Sequence, residues 1–252
     1  MKKYLWAVLC IVLIAIVASA SQNDPKAILS KIDSNKLSIS SKELEYKVYL
    51  LGVVPVGKAV LKDSGVEKIE NKNLYHLSAM AEGTGVISKV YPFSLKLDAY
   101  LEPVTLLPVT FKQALITKEK TVNKEASYDQ KNNIMQVMNE GRSILPHTYE
   151  PLSAVHHLRK LDINKLSSFD LNINTNQKNY ALEGNVQKNS IQFKSGSLRI
   201  LRLSAKIFRR DKNPYHQSKI DMILLDNLEK TPLYIKVFAS GMLITVRLTD
   251  IR

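Results

Sequence analysis

A two-residue period dominates this chain. Leu44, Tyr46, Val48 and Leu50 alternate with Glu45 and Lys47, and Tyr75, Leu77, Ala79 and Ala81 alternate with His76 and Ser78. The clearest run is Phe93, Leu95, Leu97, Ala99 and Leu101, interleaved with Ser94, Lys96 and Asp98. Successive side chains of a strand point to opposite faces. Such a run therefore has one buried and one wet face, which favours an antiparallel sheet. Shorter runs follow at Leu107, Val109 and Phe111, at Tyr180, Leu182 and Val186 (interrupted by Gly184), at Leu233, Ile235 and Val237, and at Met242, Ile244, Val246 and Leu248. Between Lys194 and Lys212 two periods compete: Leu201, Leu203, Ala205 and Ile207 alternate as in a strand, while Leu198, Leu201, Ala205 and Phe208 fit a helical face. The strand is preferred because its neighbours are strands.

Turn residues punctuate the runs at Lys131-Asn132-Asn133, Asp211-Lys212-Asn213-Pro214 and Ala239-Ser240-Gly241, the last reading as a hairpin. Nothing repeats at a fixed period, which excludes a propeller or a solenoid. The expectation is a mainly β protein of about ten to twelve strands with one short helix: a single curved antiparallel sheet, an open or partly closed barrel, or a sandwich.

That helix is Glu150 to Leu161. Pro151 suits the first helical position, where its missing N–H costs nothing. Ala154, Leu158 and Leu161 share a face, and Arg159 and Lys160 complement the C-terminal end of the dipole. A helix this short is unstable alone and must pack on the sheet.

The first twenty residues read as an export signal. Lys2 and Lys3 precede an apolar run from Tyr4 to Val17, followed by Ala18-Ser19-Ala20. Cleavage near Ala20 would release the chain to the periplasm or cell envelope. The alternative is retention as an N-terminal membrane anchor, since Tyr4 to Ala20 holds 17 uncharged residues, at the lower limit for a span. Cys10 lies inside the apolar run rather than after a small residue at its end, which argues against lipid modification. Residues 21–41 read as a polar linker, with one helical turn around Ala27, Ile28 and Ile32, and residues 42–252 as one mostly-β domain.

Cysteine chemistry is excluded downstream of the leader, because Cys10 is the only Cys. No phosphate-binding glycine loop, nucleophile elbow or zinc-protease helix is present. His156 and His157 are adjacent, so their side chains diverge by about 100° on a helix and cannot share one ion. A packing role is expected for them, with no metal and no cofactor. The formal charge is +13, and losing Lys2 and Lys3 leaves +11. Much of the excess lies between Lys194 and Lys212, where seven bases meet one acid, Asp211. The candidate ligand-binding residues are Arg199, Arg202, Lys206, Arg209 and Arg210, a stripe suited to phosphate of an anionic lipid or another envelope amphiphile. The competing reading is a solvated strand face. Nucleic acid is not expected: the compartment is wrong, and the aromatic interleaving of single-strand binders is missing. Gly52-Val53-Val54-Pro55-Val56-Gly57 reads as a structural bend, since Pro55 cannot donate to a central ladder. It would otherwise line the mouth of a ligand cavity.

Several stretches together resemble the domain-of-unknown-function 3108 family of exported bacterial proteins. They are Leu44-Glu45-Tyr46 leading into Gly52 to Gly57, Tyr100-Leu101-Glu102-Pro103, Leu107 to Phe111, Glu150 to Arg159, and Leu225 to Leu233 followed by Gly241. The resemblance implies a curved antiparallel sheet with a short helix, delivered to the envelope, and it supplies no catalytic residues. Three departures from the family pattern stand out: Glu150 where Asp usually precedes Pro-Leu-Ser, His156 and His157 where aromatic residues are common, and Met222 to Leu225 where a Trp is common.

The expected function is non-enzymatic binding of an amphipathic or anionic, lipid-like ligand in a curved sheet, by a protein soluble in the periplasm or peripheral to the membrane. One alternative is an assembly scaffold that uses sheet edges. Another is a glycan-acting enzyme, for which Asp98, Glu102 and Glu150 are the candidate carboxylates, although nothing in their spacing pairs them.

Overall fold

The structure, a computed structural model, describes residues 25–30, 32, 36, 43–138, 140–162, 166–175, 177–193, 196–210, 218–239 and 241–252. The leader 1–20, Lys194, Lys212, Ser240 and the turn 211–214 lie outside the described residues.

Among the described residues there are fifteen strands and three helices, more strands than the alternation alone predicts. The described elements begin with α1 (Pro25–Leu29), β1 (Glu43–Leu50), β2 (Val54–Ile69), β3 (Lys72–Gly83), α2 (Gly85–Val90), β4 (Phe93–Leu101) and β5 (Pro108–Thr117). It continues through β6 (Thr121–Asp129), β7 (Ile134–Val137), β8 (Glu140–Ser143), β9 (Thr148–Tyr149), α3 (Pro151–Lys160) and β10 (Ser168–Thr175). The last strands are β11 (Lys178–Phe193), β12 (Gly196–Arg209), β13 (Ser218–Leu225), β14 (Pro232–Ala239) and β15 (Met242–Ile251). The ambiguous 194–212 segment is thus a strand over its described length.

All fifteen strands form one sheet in the order β8-β7-β6-β5-β4-β3-β2-β1-β15-β14-β13-β12-β11-β10-β9. This is a single meander whose first and last strands pair in the middle, Val48 opposite Val246. Every pairing is antiparallel except the short one between β9 and β10. The two edges, β8 and β9, follow each other in the chain across only residues 144–147. Five residue steps span at most about 18 Å, so the sheet must curl until its edges nearly meet. Side chains stitch that gap without a ladder: Gln130 Nε2 donates to the Thr148 carbonyl at 2.8 Å, and Asn179 Nδ2 to the Ser143 carbonyl at 3.1 Å. The architecture is an almost-closed barrel.

Helix α3 lies inside the curl. Leu152 packs with Leu77, Ala99 and Leu101 on one wall, while Ala154 and Leu158 pack with Leu182, Leu201, Leu203, Met222 and Leu224 on the other. Burial of that apolar surface, at roughly 25 cal/mol per Å², ties the walls together. The turn Pro25–Leu29 packs elsewhere, burying Ile28 and Leu29 with Ile200, Ile223 and Tyr234. Ile200 and Leu201 are therefore both buried, as are Ile223 and Leu224. This part of the sheet is covered on both faces, where alternation had implied one wet face.

Two glycines are required by close approach. At Gly57 an added Cβ would sit 2.6 Å from the Glu82 carbonyl oxygen, where β2 meets β3. At Gly184 it would meet Phe169 Cζ and the Ser204 carbonyl, each at 2.6 Å. Gly184 therefore interrupts the alternation of β11 to admit an aromatic ring. Pro55 falls opposite Tyr49 where the β1–β2 register shifts, so it marks a bend as its chemistry demands.

Candidate functional site

Helix α3 divides the interior into a filled half and an open half. Along β4 the inward positions change from fully buried at Leu101 and Ala99 to half-buried at Leu97 and Leu95. Past the N-terminus of α3, Leu97 and Phe111 pack at the edge of the Leu77–Leu101 cluster, and Ala126, Tyr128, Met135, Val137 and Ile144 form a separate small buried cluster beside Phe111. A cleft of about 200 Å³ remains there, lined by Leu95, Leu97, Phe111, Ala126, Tyr128, Met135 and Val137, with Pro151 of α3 at its floor. Asn174, Thr175 and Gln177 bound it from the other side of the sheet break. The lining is mostly apolar, with Gln113, Lys124 and Glu125 among its polar members, and Glu125 is paired with Lys112 at 3.2 Å. Lys124 shares the face of Ala126 and Tyr128, is exposed, and makes no ion pair with any described residue.

The helix itself is held by polar groups. Glu150 is fully buried at its N-cap and accepts from the Leu152 amide at 2.7 Å and from the Ser153 amide. The Ser153 hydroxyl accepts in return from the Glu150 amide at 3.1 Å. This is a capping box with the two residue types exchanged: Glu at the cap and Ser at the third position. The longer Glu side chain does here what Asp does more commonly. Burial pushes the Glu150 carboxyl up to about 7, against the lowering influence of its amide donors.

His156 and His157 diverge. The His157 ring packs tilted by 33° against Tyr149 with centroids 4.6 Å apart, and the Tyr149 hydroxyl is 3.2 Å from its Nδ1. His156 is 2% exposed, lies 5.0 Å from the Tyr75 ring, and has no hydrogen bond at either ring nitrogen. Burial lowers its pKa to about 4, opposed by Asp63, so the ring is neutral. At the C-terminal end, Arg159 donates from Nε and Nη2 to the Glu229 carbonyl at 3.1 and 3.0 Å. No cluster of three or more His, Cys, Asp or Glu able to hold a metal occurs among the described residues.

The basic stripe is divided by the pleat. Arg202 and Lys206 project from one face of β12, exposed, with Ser204 between them. Arg199 alternates to the other face and pairs with Asp226 at 3.4 Å. Arg210 pairs with Asp170 at 2.6 Å. Arg209 is half-buried and has a partner of its own. Lys206 sits between Glu183 on β11 and Lys219 on β13, and Asp221 accepts from Ser204 at 2.8 Å. The five candidates therefore do not converge on one point, and acids are laced among them.

The candidate carboxylates also stay apart. Asp98 meets His76 at 3.1 Å and Lys96 at 3.2 Å. Glu102 accepts from the amides of Val104 and Thr105, which hold its pKa below the usual range. Glu150 caps α3. Lys124 escaped notice in the sequence because β6 carries only Val122, Ala126 and Tyr128 as apolar inward residues amid polar ones.

No helix among the described residues is long and apolar enough to cross a membrane. A search of curated proteins returns no match. Among solved structures, a β-barrel-like protein of domain of unknown function DUF1849 from Brucella abortus superposes with a TM-score of 0.60 at 10% identity, over 85% of this chain and 98% of its own. That likeness is one of fold. A protein from Parabacteroides distasonis ATCC 8503 aligns at 9% identity over 85% of this chain and 96% of its own, with a TM-score of 0.33. The model of the DUF3108 family, proteins of unknown function, matches residues 45–241, and the chain belongs to that family.

Proposed function

We propose that this chain is an exported, non-enzymatic envelope protein that binds an amphipathic, anionic ligand of the lipid class. The apolar part of the ligand lies in the cleft beside α3, and its acidic group meets Lys124. The carrying observation is the half-filled interior, whose inward apolar positions Leu95, Leu97 and Phe111 are only half-buried beside an unpaired cation. Ligand sites are typically concave and mostly apolar with a few placed polar groups. A cleft near 200 Å³ is smaller than the usual range of about 300–1,000 Å³, which fits a segment of alkyl chain better than a whole lipid. The stripe residues Arg202 and Lys206 contribute general attraction for anions.

The rival readings draw less support. The exposed edge β8 is four residues long and carries the Glu140–Arg142 pair at 2.6 Å, features that blunt edge pairing. The three carboxylates each serve a separate structural task.

The test is native mass spectrometry of protein purified gently from the envelope fraction, paired with titration of the anionic fluorophore anilinonaphthalene sulfonate. A co-purifying amphiphile is expected. Leu97→Trp, which fills the cleft, and Lys124→Glu should each weaken fluorophore binding at least tenfold, corresponding to about 1.4 kcal/mol. Clean apo protein whose fluorophore binding ignores both variants would sink the reading.

A further inference from the structure

The barrel has two ends, and they differ. The end next to the open half of the interior carries the connections β1–β2, β3–α2–β4, β5–β6 and β14–β15. Its rim exposes large apolar side chains: Val86, Val90 and Tyr91 on and just after α2 are 74%, 63% and 56% exposed, Ile116 is 52%, Met242 is 51% and Phe238 is 44%.

These residues are neighbours around one arc. Ile116 pairs with Ser94 at the start of β4, three residues after Tyr91. The Thr84 amide before α2 donates to the Val56 carbonyl of β2 at 3.1 Å. Leu50, at the end of β1, pairs with Val54 on one side and Ile244 on the other, and Met242 pairs with Ala239 beside Phe238. Nothing in α2 is buried. Six residues of helix with no buried side chain cannot be there to complete the core. By contrast, Val104 and Leu228 at the opposite end stand singly on separate turns, and isolated exposed apolar residues are ordinary.

The same rim is basic. Lys89 on α2 and Lys118 and Lys120 on the β5–β6 turn are exposed, and none makes an ion pair with any described residue. Of the acids at this end, Glu119 lies between the two turn lysines and Glu82 is paired with Lys58 at 2.9 Å. Apolar tips ringed by unpaired lysines match a surface whose headgroups are anionic and whose interior is hydrocarbon.

We infer that this rim is a docking surface for an anionic lipid bilayer, with Val86, Val90 and Tyr91 entering the acyl boundary and Lys89, Lys118 and Lys120 meeting the headgroups. Docked this way, the open half of the interior faces the membrane. The inference does not depend on what the cleft holds.

The experiment uses the exported chain with Trp6→Phe, since Trp6 is the only Trp in the sequence. Tyr91→Trp then places a single indole on the rim, and Val104→Trp places one at the opposite end. Each is titrated with vesicles of phosphatidylcholine alone and of phosphatidylcholine with phosphatidylglycerol. A blue shift is expected for Tyr91→Trp with the anionic vesicles and none for Val104→Trp. This contrast holds even if the leader tethers both proteins to the vesicles. Adding Lys118→Glu and Lys120→Glu should lower the partitioning by on the order of tenfold or more. An unchanged Tyr91→Trp spectrum, or equal shifts at both ends, would overturn the inference. So would a Tyr91→Trp shift that grows with protein concentration without vesicles, which assigns the rim to a second copy of the chain.

Discussion

His156 Nδ1 stands 3.8 Å from Asp63 Oδ2, too far for a hydrogen bond, and the buried imidazole finds no other partner for either nitrogen. An unsatisfied buried polar group costs on the order of 1–3 kcal/mol. The ring is kept for its shape, packed at 5.0 Å against Tyr75. Burial, and after it the nearby Asp63, holds the Tyr75 phenol well above its usual pKa.

His156→Phe should therefore stabilise the protein at pH 7 by about 1–2 kcal/mol, because it keeps the ring contact and removes both orphan nitrogens. Urea denaturation measures this directly. A destabilised variant would mean that the long contact to Asp63 contributes more than the orphan nitrogens cost.

Glu150 and His156 drive pH dependence in opposite directions. Between 4.5 and about 7 the buried Glu150 keeps a proton that the unfolded chain has released, so its contribution makes stability fall as pH rises. Between 6.5 and about 4 the unfolded chain protonates His156 while the folded chain does not, so stability falls as pH drops. Each slope is about 1.4 kcal/mol per pH unit, and the two oppose each other from about 4.5 to 6.5. His157, whose pKa burial also lowers, adds to the His156 direction. Thermal unfolding across pH 4.5–8 should show Glu150→Gln gaining stability as pH rises to 6.5, and His156→Phe losing it over the same window.

Arg159 anchors the end of α3 through its two donors to the Glu229 carbonyl. Arg159→Met keeps the apolar stem and removes the fork. A loss of about 2–3 kcal/mol is expected, since hydrogen bonds from charged groups are worth roughly 1.5–3. Hydrogen exchange should show faster opening of residues 226–231 together with the last turn of α3. Protection unchanged there would show that the helix end is held by packing alone.

Gly184→Ala should cost about 2 kcal/mol or more, because its Cβ would strike Phe169 and the Ser204 carbonyl and neither wall can retreat without shifting β10 or β12. Adding Phe169→Leu should recover part of the loss if the ring is the obstacle. No recovery would place the conflict at the Ser204 backbone.

Strands with an apolar face and a wet face were legible from spacing. The runs at Leu44, Tyr75, Phe93, Leu201 and Met242 are β1, β3, β4, β12 and β15. Those that escaped had physical reasons to. Strand β6 is polar over most of its length with only Ala126 and Tyr128 buried, and β7 and β8 are four residues each, too short to show a period even though Met135 and Val137 are buried. Strand β13 ends in Met222-Ile223-Leu224-Leu225, buried on both sides, where alternation vanishes. Strand β2 bends at Pro55 and shifts register between Asp63 and Gly65, which breaks its period.

The sequence by itself determined that this chain makes an antiparallel sheet and the short helix at 150–161, because period-two patterning and the cap, face and charge pattern of that helix are local properties. Only the tertiary structure decided what that helix leaves uncovered. Adjacency in the chain could not show that β8 and β9 nearly meet, that α3 fills one half of the barrel, or that Lys124 stands at the mouth of the other half. Nor could charge counting show that the pleat sends Arg199 to one face and Arg202 and Lys206 to the other. The basic run looked like one feature in sequence because it is continuous there. A strand divides a continuous run between two faces, and the partners that neutralise each charge come from strands far away in the chain.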